Sequence, residues 1–143
     1  MASNVPPMRM KRRGKKKAAP KRRSRKVTHD NIEFDSVVEG QYYLHLKRLR
    51  EQGVVQSFEM QKTFMLQEAY SIDGEERKPI VYTPDFIVTY ADGHTEDVDV
   101  KGSEKTSAAS RDFPLRQKLF EERYGMRLYV MLWRKGEWVE RDT

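Results

Sequence analysis

The chain has 143 residues, enough for one domain and a tail, and its 28 Lys and Arg against 22 Asp and Glu give a formal net charge of +6. Cysteine is absent, which excludes disulfides and thiolate chemistry and favours a reducing cytosol. The sequence contains no apolar run long enough to cross a bilayer and nothing like a secretory signal, so we expect a cytoplasmic protein without a membrane segment.

The positive charge is concentrated in residues 1–30, which contain twelve Lys and Arg and a single acid, whereas residues 31–143 are mildly acidic. The basic segment has no apolar periodicity, so we predict a disordered tail followed by one folded domain over 31–143. A tail of this kind binds nucleic acid through counterion release. The alternatives are a solubilising tail or a nuclear import signal. The candidate nucleic-acid-binding residues here are Lys11, Arg12, Arg13, Lys15, Lys16, Lys17, Lys21, Arg22 and Arg23.

Residues 34–53 predict the first helix. Asp35 or Ser36 can cap its start, and Gly53 can end it. One apolar stripe recurs at helical spacing; its members are Val38, Tyr42, Leu46 and Leu49.

The next part of the chain predicts strands. Residues 54–70 alternate enough for one or two strands, and 71–78 predict a turn. Residues 79–90 and 95–101 predict a β-hairpin, because an Asp-Gly pair lies between two alternating runs.

After a polar loop at 103–112, residues 113–125 predict a second helix, with Pro114 in its first turn. Residues 126–142 predict an apolar strand and a short final strand. The order α-β-β-β-α-β predicts an α/β fold with a central mixed sheet flanked by helices.

The strand at 95–101 carries an unusual set of charges. Because side chains alternate along a strand, Asp97, Asp99 and Lys101 share one face, and the intervening valines supply the face that we expect to be buried. Asp85 lies on the preceding strand, about 5 Å away across the hairpin. We therefore expect Asp85 and Asp99 to converge on one point.

Two converging carboxylates suit a hard divalent cation such as Mg²⁺, which takes oxygen ligands and retains several waters. Lys101 would lie beside that site and offset charge on a phosphate. The alternative for Asp85 is a surface carboxylate on an edge strand, and for Asp99 an ion pair with Lys101. Asp97 is expected beside the site or at the surface.

Pro84-Asp85 followed by Asp99-Val100-Lys101, with an acid in the first helix, resembles the PD-(D/E)xK nuclease signature. The segments "FEMQKTFML", "YTPDFIVTYADGHTEDVDVKG" and "RQKLFEERY" resemble small phage-type proteins of that superfamily, which are similar to Holliday-junction resolvases. The resemblance covers roughly residues 33–133. It implies a restriction-endonuclease-like core and a bound Mg²⁺ or Mn²⁺.

The same resemblance implies roles for individual residues. The metal would be held by Asp85, Asp99 and the carbonyl of Val100, with Glu39 completing the site and Lys101 assisting attack of water. The alternative for Glu39 is a capping box with Ser36.

Three further polar residues are candidates with open alternatives. Gln61 follows the family pattern and is expected on a strand beside the hairpin, either near the attacking water or as an ordinary polar residue. Arg116 and Lys118, on the second helix, either contact phosphate or form a solvated face. Four aromatic residues are expected in the core: Tyr42, Tyr43, Phe120 and Tyr124.

The carboxylate–lysine set and the resemblance together predict a Mg²⁺-dependent endodeoxyribonuclease. The likeness to resolvases further implies branched DNA as the substrate and a homodimer, in the bacterial host cytoplasm if the protein is phage-encoded. One alternative is a restriction-like or nicking nuclease on duplex DNA. Another is a nucleic-acid-binding protein without catalysis. RNA is an open alternative substrate.

Overall fold

The computed structural model describes residues 25–102 and 108–141, with the backbone alone at 108–111. It contains helices α1 (Val37–Glu51) and α2 (Ala108–Tyr124). The strands are, in chain order, β1 (Val27–His29), β2 (Ile32–Phe34), β3 (Val55–Glu59), β4 (Phe64–Gln67), β5 (Tyr70–Ile72), β6 (Glu75–Arg77), β7 (Ile80–Tyr82), β8 (Phe86–Tyr90), β9 (Thr95–Lys101), β10 (Leu128–Arg134) and β11 (Glu137–Glu140).

Five of these strands form a mixed central sheet in the order β11-β10-β9-β8-β3. β9 and β10 are parallel and are connected through α2, as parallel neighbours require a crossover. The other three pairs in this sheet are antiparallel. The prediction of an α/β fold with a central mixed sheet and flanking helices is confirmed.

Helix α1 begins where the sequence predicts, at the N-cap Ser36, whose side-chain oxygen accepts a 3.2 Å hydrogen bond from the backbone N–H of Glu39. It covers one face of the sheet. Tyr42, Tyr43 and Leu46 are buried there against residues such as Val98 and Val100.

Helix α2 covers the opposite face, because Phe113 and Phe120 pack with Leu128 and Val130 in a second core cluster. This helix starts at Ala108, five residues before the predicted start, so Pro114 lies inside it and not in its first turn. The predicted loop at 103–112 is wrong over 108–112, and its residues 103–107 lie outside the described ranges.

The predicted strand at 79–90 is divided in two. β7 pairs with β4 in a separate two-stranded sheet that packs on α2, whereas β8 pairs with β9. Pro84 lies at the break, since it has no N–H for a ladder hydrogen bond. The predicted turn at 71–78 is instead the small hairpin β5–β6, all of whose residues are exposed.

Ordered structure starts within the segment predicted as a disordered tail, because Val27–His29 pair with Ile32–Phe34. This hairpin packs closely on α1 at Gly40, where an added Cβ would lie 2.7 Å from Cγ2 of Val27. In the described part of the chain, neither helix is long and apolar enough to cross a bilayer.

Candidate functional site

The break at Pro84 positions Asp85. Phe86 is paired with Val98 across the β8–β9 ladder, so the preceding residue, Asp85, lies opposite Asp99. The backbone N–H of Val100 donates a 2.8 Å hydrogen bond to Oδ2 of Asp85, which fixes that carboxyl group against β9. The structure therefore brings together the two carboxylates that the sequence predicts as metal ligands.

The environment of Asp85 disfavours its negative charge. Burial raises the pKa of Asp85 well above its usual range, and the charges of Asp99 and Glu39 raise it further. The hydrogen bond from Val100 acts in the opposite direction but is the smallest of these effects. A cation between the two carboxylates would remove this penalty.

Lys101 lies at the end of the same strand. Its Nζ is 2.6 Å from Oδ2 of Asp99, so the two side chains form an ion pair. Among the described residues, no donor meets that buried oxygen at the angles of a hydrogen bond. The Lys101 ammonium group also lies 4.6 Å from the centroid of the Phe113 ring. The ion pair that was the alternative role for Asp99 is therefore present.

Glu39 lies in the first turn of α1 and reaches the same region. Burial and the charges of Asp35 and Asp99 raise its pKa, while a hydrogen bond to the Ser36 side chain and the charge of Lys101 lower it. Ser36 therefore caps the helix at Glu39, and the Glu39 carboxyl group is also close enough to Asp99 and Lys101 for their charges to shift its pKa. Within the described residues, however, no three acidic or histidine side chains are grouped closely enough to hold a metal ion. Asp85 and Asp99 form a pair, and Glu39 does not make it a triad.

Gln61 is not on a strand, contrary to the sequence prediction. It lies in the connection between β3 and β4, is exposed, and has a φ of +61°, in the left-handed region. It nevertheless lines a cleft of about 470 Å³ together with Glu39, Asp85, Met60 and Thr83. Gln61 therefore shares a cleft with Asp85 and Glu39, whereas Asp99 and Lys101 are not among the residues that line it.

Asp97 is not at the surface. It is 1% exposed, two residues before Asp99 on β9, and within the described part of the chain neither of its carboxylate oxygens has a hydrogen-bond partner. Burial raises the pKa of Asp97, and the charge of Lys62 lowers it by less. The buried hydroxyl of Tyr82 lies near Asp99, and burial followed by the Asp99 charge raises the pKa of Tyr82. The sheet face expected to be polar is therefore covered.

Two residues of this region were not found by sequence reasoning. Phe113 supplies the ring over Lys101, and Arg141 lies on the same ring, with its Cζ 5.6 Å from the centroid. Both are far from Lys101 in sequence and carry no local motif. Only the packing of α2 and the final strand on β9 and β10 brings them there.

Of the candidate nucleic-acid-binding residues, the structure describes only the two on α2. Arg116 and Lys118 are exposed on α2. The basic residues between Lys11 and Arg23 lie outside the described ranges.

Comparison with known protein families identifies a family for this chain. A family described as "protein of unknown function (DUF1064)" matches residues 19–139. The chain belongs to this family. No curated protein sequence matches the chain, and no solved structure does. The family match includes Asp85, Asp99, Lys101 and Phe113, whereas Arg141 lies just beyond it. The family description assigns no activity to its members.

Proposed function

We propose that this protein is a Mg²⁺- or Mn²⁺-dependent endodeoxyribonuclease with a restriction-endonuclease-like core of the PD-(D/E)xK type. The observation that carries the proposal is the pairing of Asp85 with Asp99 next to the ammonium group of Lys101. Two acids on neighbouring strands supply oxygen ligands for a hard cation, and the lysine supplies a positive charge for a phosphate oxygen. The chain order α1, β3, β8, β9, α2, β10 agrees with the arrangement expected of that core.

The residues present fit a hard cation. Asp99 is buried beside the Lys101 ammonium group, and burial followed by the Asp99 charge raises the pKa of Asp85, so a further positive charge beside the pair would be favourable. Asp85, Asp99 and the carbonyl oxygen of Val100 would hold the ion, with Glu39 acting at its edge through water. When bound, the ion supplies Lewis-acid activation of the phosphate and of the attacking water.

The chain's own residues then have separate tasks. Lys101 donates hydrogen bonds to the attacking water and to a phosphate oxygen, and its charge offsets the negative charge that develops there. The amide of Gln61, in the cleft, helps to orient the water. Likeness to the PD-(D/E)xK superfamily supports products with 5′-phosphate and 3′-hydroxyl ends.

The preferred substrate in this proposal is branched DNA, and the acting form is a homodimer in the cytoplasm. These parts rest on the likeness to resolvases. The twelve Lys and Arg among the first 30 residues support a polyanionic substrate, because each phosphate contact releases a counterion.

The direct test is cleavage of end-labelled four-way junction, flap, duplex and single-stranded DNA with Mg²⁺, with Mn²⁺ and with EDTA. We expect cleavage by the wild type with either metal, and loss of roughly 10²-fold or more in rate in Asp85→Ala and Lys101→Ala, with DNA binding retained. Lys78→Ala is the matched control, because Lys78 is an exposed lysine away from the site. Equal cleavage of junction and matched duplex would favour the nicking or restriction-like alternative.

A second candidate function is binding without catalysis. It is favoured by the lack, in the described residues, of a third acid close enough to complete a metal cluster. That candidate replaces the first if the purified wild type binds these DNAs but cuts none of them with either metal.

A further inference from the structure

Arg141 is anchored next to the proposed site by its backbone. Its N–H donates a 2.8 Å hydrogen bond to the carbonyl oxygen of Val130, and Val130 is the β10 residue paired with Asp99. The residue that follows the last strand is therefore held across β10 from one of the proposed metal ligands.

The Arg141 side chain lies on the ring that also contacts Lys101. The guanidinium carbon is 5.6 Å from the Phe113 centroid and Lys101 Nζ is 4.6 Å from it, so both cations lie within about 10 Å of each other around one ring. Phe113 is itself only 4% exposed, which makes the ring a fixed support. An arginine stacked on an aromatic ring is pre-organised for hydrogen bonding at its free edge.

The charge of Arg141 is not neutralised within the described part of the chain, where no carboxylate forms an ion pair with it. Arg123 and Arg127, by contrast, each have a partner, Glu68 and Glu140 respectively. Arg141 is partly exposed, so its donors can reach a ligand. Two cations on one aromatic ring, of which Arg141 has no ion-pair partner among the described residues, would suit a ligand that carries two neighbouring negative charges.

We propose that Arg141 binds a backbone phosphate of the DNA, neighbouring the phosphate that Lys101 contacts. This proposal rests on the proposed nuclease function, and it adds a phosphate-binding residue at the end of the folded domain. The guanidinium fork can hold two phosphate oxygens at once, which a lysine cannot do. The alternative is that Arg141 only packs against Phe113.

The test compares Arg141→Met with Arg50→Met. The methionine keeps an apolar stem and removes the charge in both cases, and Arg50 is the matched control because its Cζ lies 5.1 Å from another ring, that of Phe58. The measurement is fluorescence anisotropy of labelled junction and duplex DNA in EDTA over a series of salt concentrations. We expect Arg141→Met to reduce the slope of log affinity against log salt by about 1, and Arg50→Met to leave it unchanged.

Arg141→Lys separates charge from packing. If Arg141 contacts phosphate, the lysine variant keeps the wild-type salt slope, and the methionine variant raises the KM for cleavage several-fold. A wild-type slope in Arg141→Met overturns the proposal, as does an equal loss of thermal stability in both variants with no change in slope.

Failure of this proposal and failure of the nuclease proposal are distinguishable. If the wild type binds DNA but cuts none, the nuclease proposal is wrong, and the salt slope still decides whether Arg141 contacts phosphate. If the wild type cuts and Arg141→Met binds and cuts equally well, only the role of Arg141 is wrong.

Discussion

The ammonium group of Lys101 contacts both Asp99 and Phe113: Nζ is 2.6 Å from a carboxylate oxygen of Asp99 and 4.6 Å from the centroid of the Phe113 ring. The two contacts of Lys101 would respond differently to a bound metal ion. A cation that binds Asp99 competes with Lys101 for the carboxylate, whereas the ring face remains available to the ammonium group. Phe113 is therefore a positioning residue in the proposed reaction.

Replacing Phe113 tests this role. Phe113→Leu keeps an apolar side chain but removes the π face, and because a cation–π contact contributes about 0.5–2 kcal/mol, we expect a cleavage rate about 2- to 30-fold below wild type. Phe113→Tyr should restore most of the rate. Single-turnover cleavage with saturating enzyme is the measurement.

The control for Phe113→Leu is Phe120→Leu. Phe120 belongs to the same core cluster, but no cation lies over its ring among the described contacts. Equal rate losses in the two leucine variants would mean that the effect is one of core packing alone.

The second prediction concerns metal binding and pH. Because the pKa of Asp85 is raised in the folded protein, its contribution to stability is present below its ordinary unfolded-state value and is lost as pH rises through the folded-state value. Mg²⁺ requires the deprotonated carboxylate. We therefore expect the increase in Tm caused by Mg²⁺ to be larger at pH 9 than at pH 6, measured by thermal denaturation with and without the metal.

Asp85→Asn should abolish that Mg²⁺-dependent increase at both pH values. The control is Asp92→Asn, because Asp92 is an exposed aspartate in the β8–β9 turn, away from the site. An unchanged response to Mg²⁺ in Asp85→Asn would remove Asp85 from the metal site.

A third prediction follows from the burial of Asp97. Its raised pKa means that folding favours the neutral form, so its contribution to stability falls as pH rises above the unfolded-state value. Asparagine does not titrate. We expect Asp97→Asn to match the wild type at pH 4 and to be more stable by about 1–3 kcal/mol at pH 9, from urea denaturation at the two pH values.

Asp92→Asn should show the opposite sign in the same experiment. Hydrogen bonds from the backbone and side chain of His94 lower the pKa of Asp92, so its charge contributes to stability above its ordinary pKa. If Asp97→Asn were less stable than wild type at both pH values, Asp97 would need a partner outside the described residues.

The fourth prediction concerns the basic tail. Deleting residues 1–24 removes most of its positive charge but retains Val27–His29, which pair with β2 and pack on Gly40. We expect weaker DNA binding and a much flatter salt dependence, because fewer counterions are released, while the Mg²⁺-dependent rise in Tm is unchanged. Wild-type affinity and salt dependence in the truncated protein would exclude the tail from DNA binding.

The elements that the sequence predicted well are those determined by local interactions. The start of α1 depends on the Ser36 cap. The β8–β9 hairpin depends on strand alternation and on an Asp-Gly turn, in which Gly93 has a φ of +91°. Because that turn sets the register, it also places Asp85 opposite Asp99, and so the carboxylate pair could be predicted from the sequence.

The errors arise from tertiary contacts. The alternation of strand 95–101 gave the two faces correctly, but it could not show that Asp97, on the polar face, would be buried. Gln61 fitted a strand pattern, whereas its backbone turns into the left-handed region between two sheets. Phe113 and Arg141 reach Lys101 through packing between distant parts of the chain, for which a single sequence offers no periodic signal.

The parallel pairing of β9 with β10 has a consequence for biosynthesis. The β8–β9 hairpin is contiguous in the chain and is able to form once Lys101 has left the ribosome, whereas β10 pairs only after the whole α2 crossover has been made. Until then Asp97 stays hydrated and ionised. Dehydration of that carboxylate is therefore expected to belong to the last stage of folding, and nascent chains should complete that stage more readily in mildly acidic conditions.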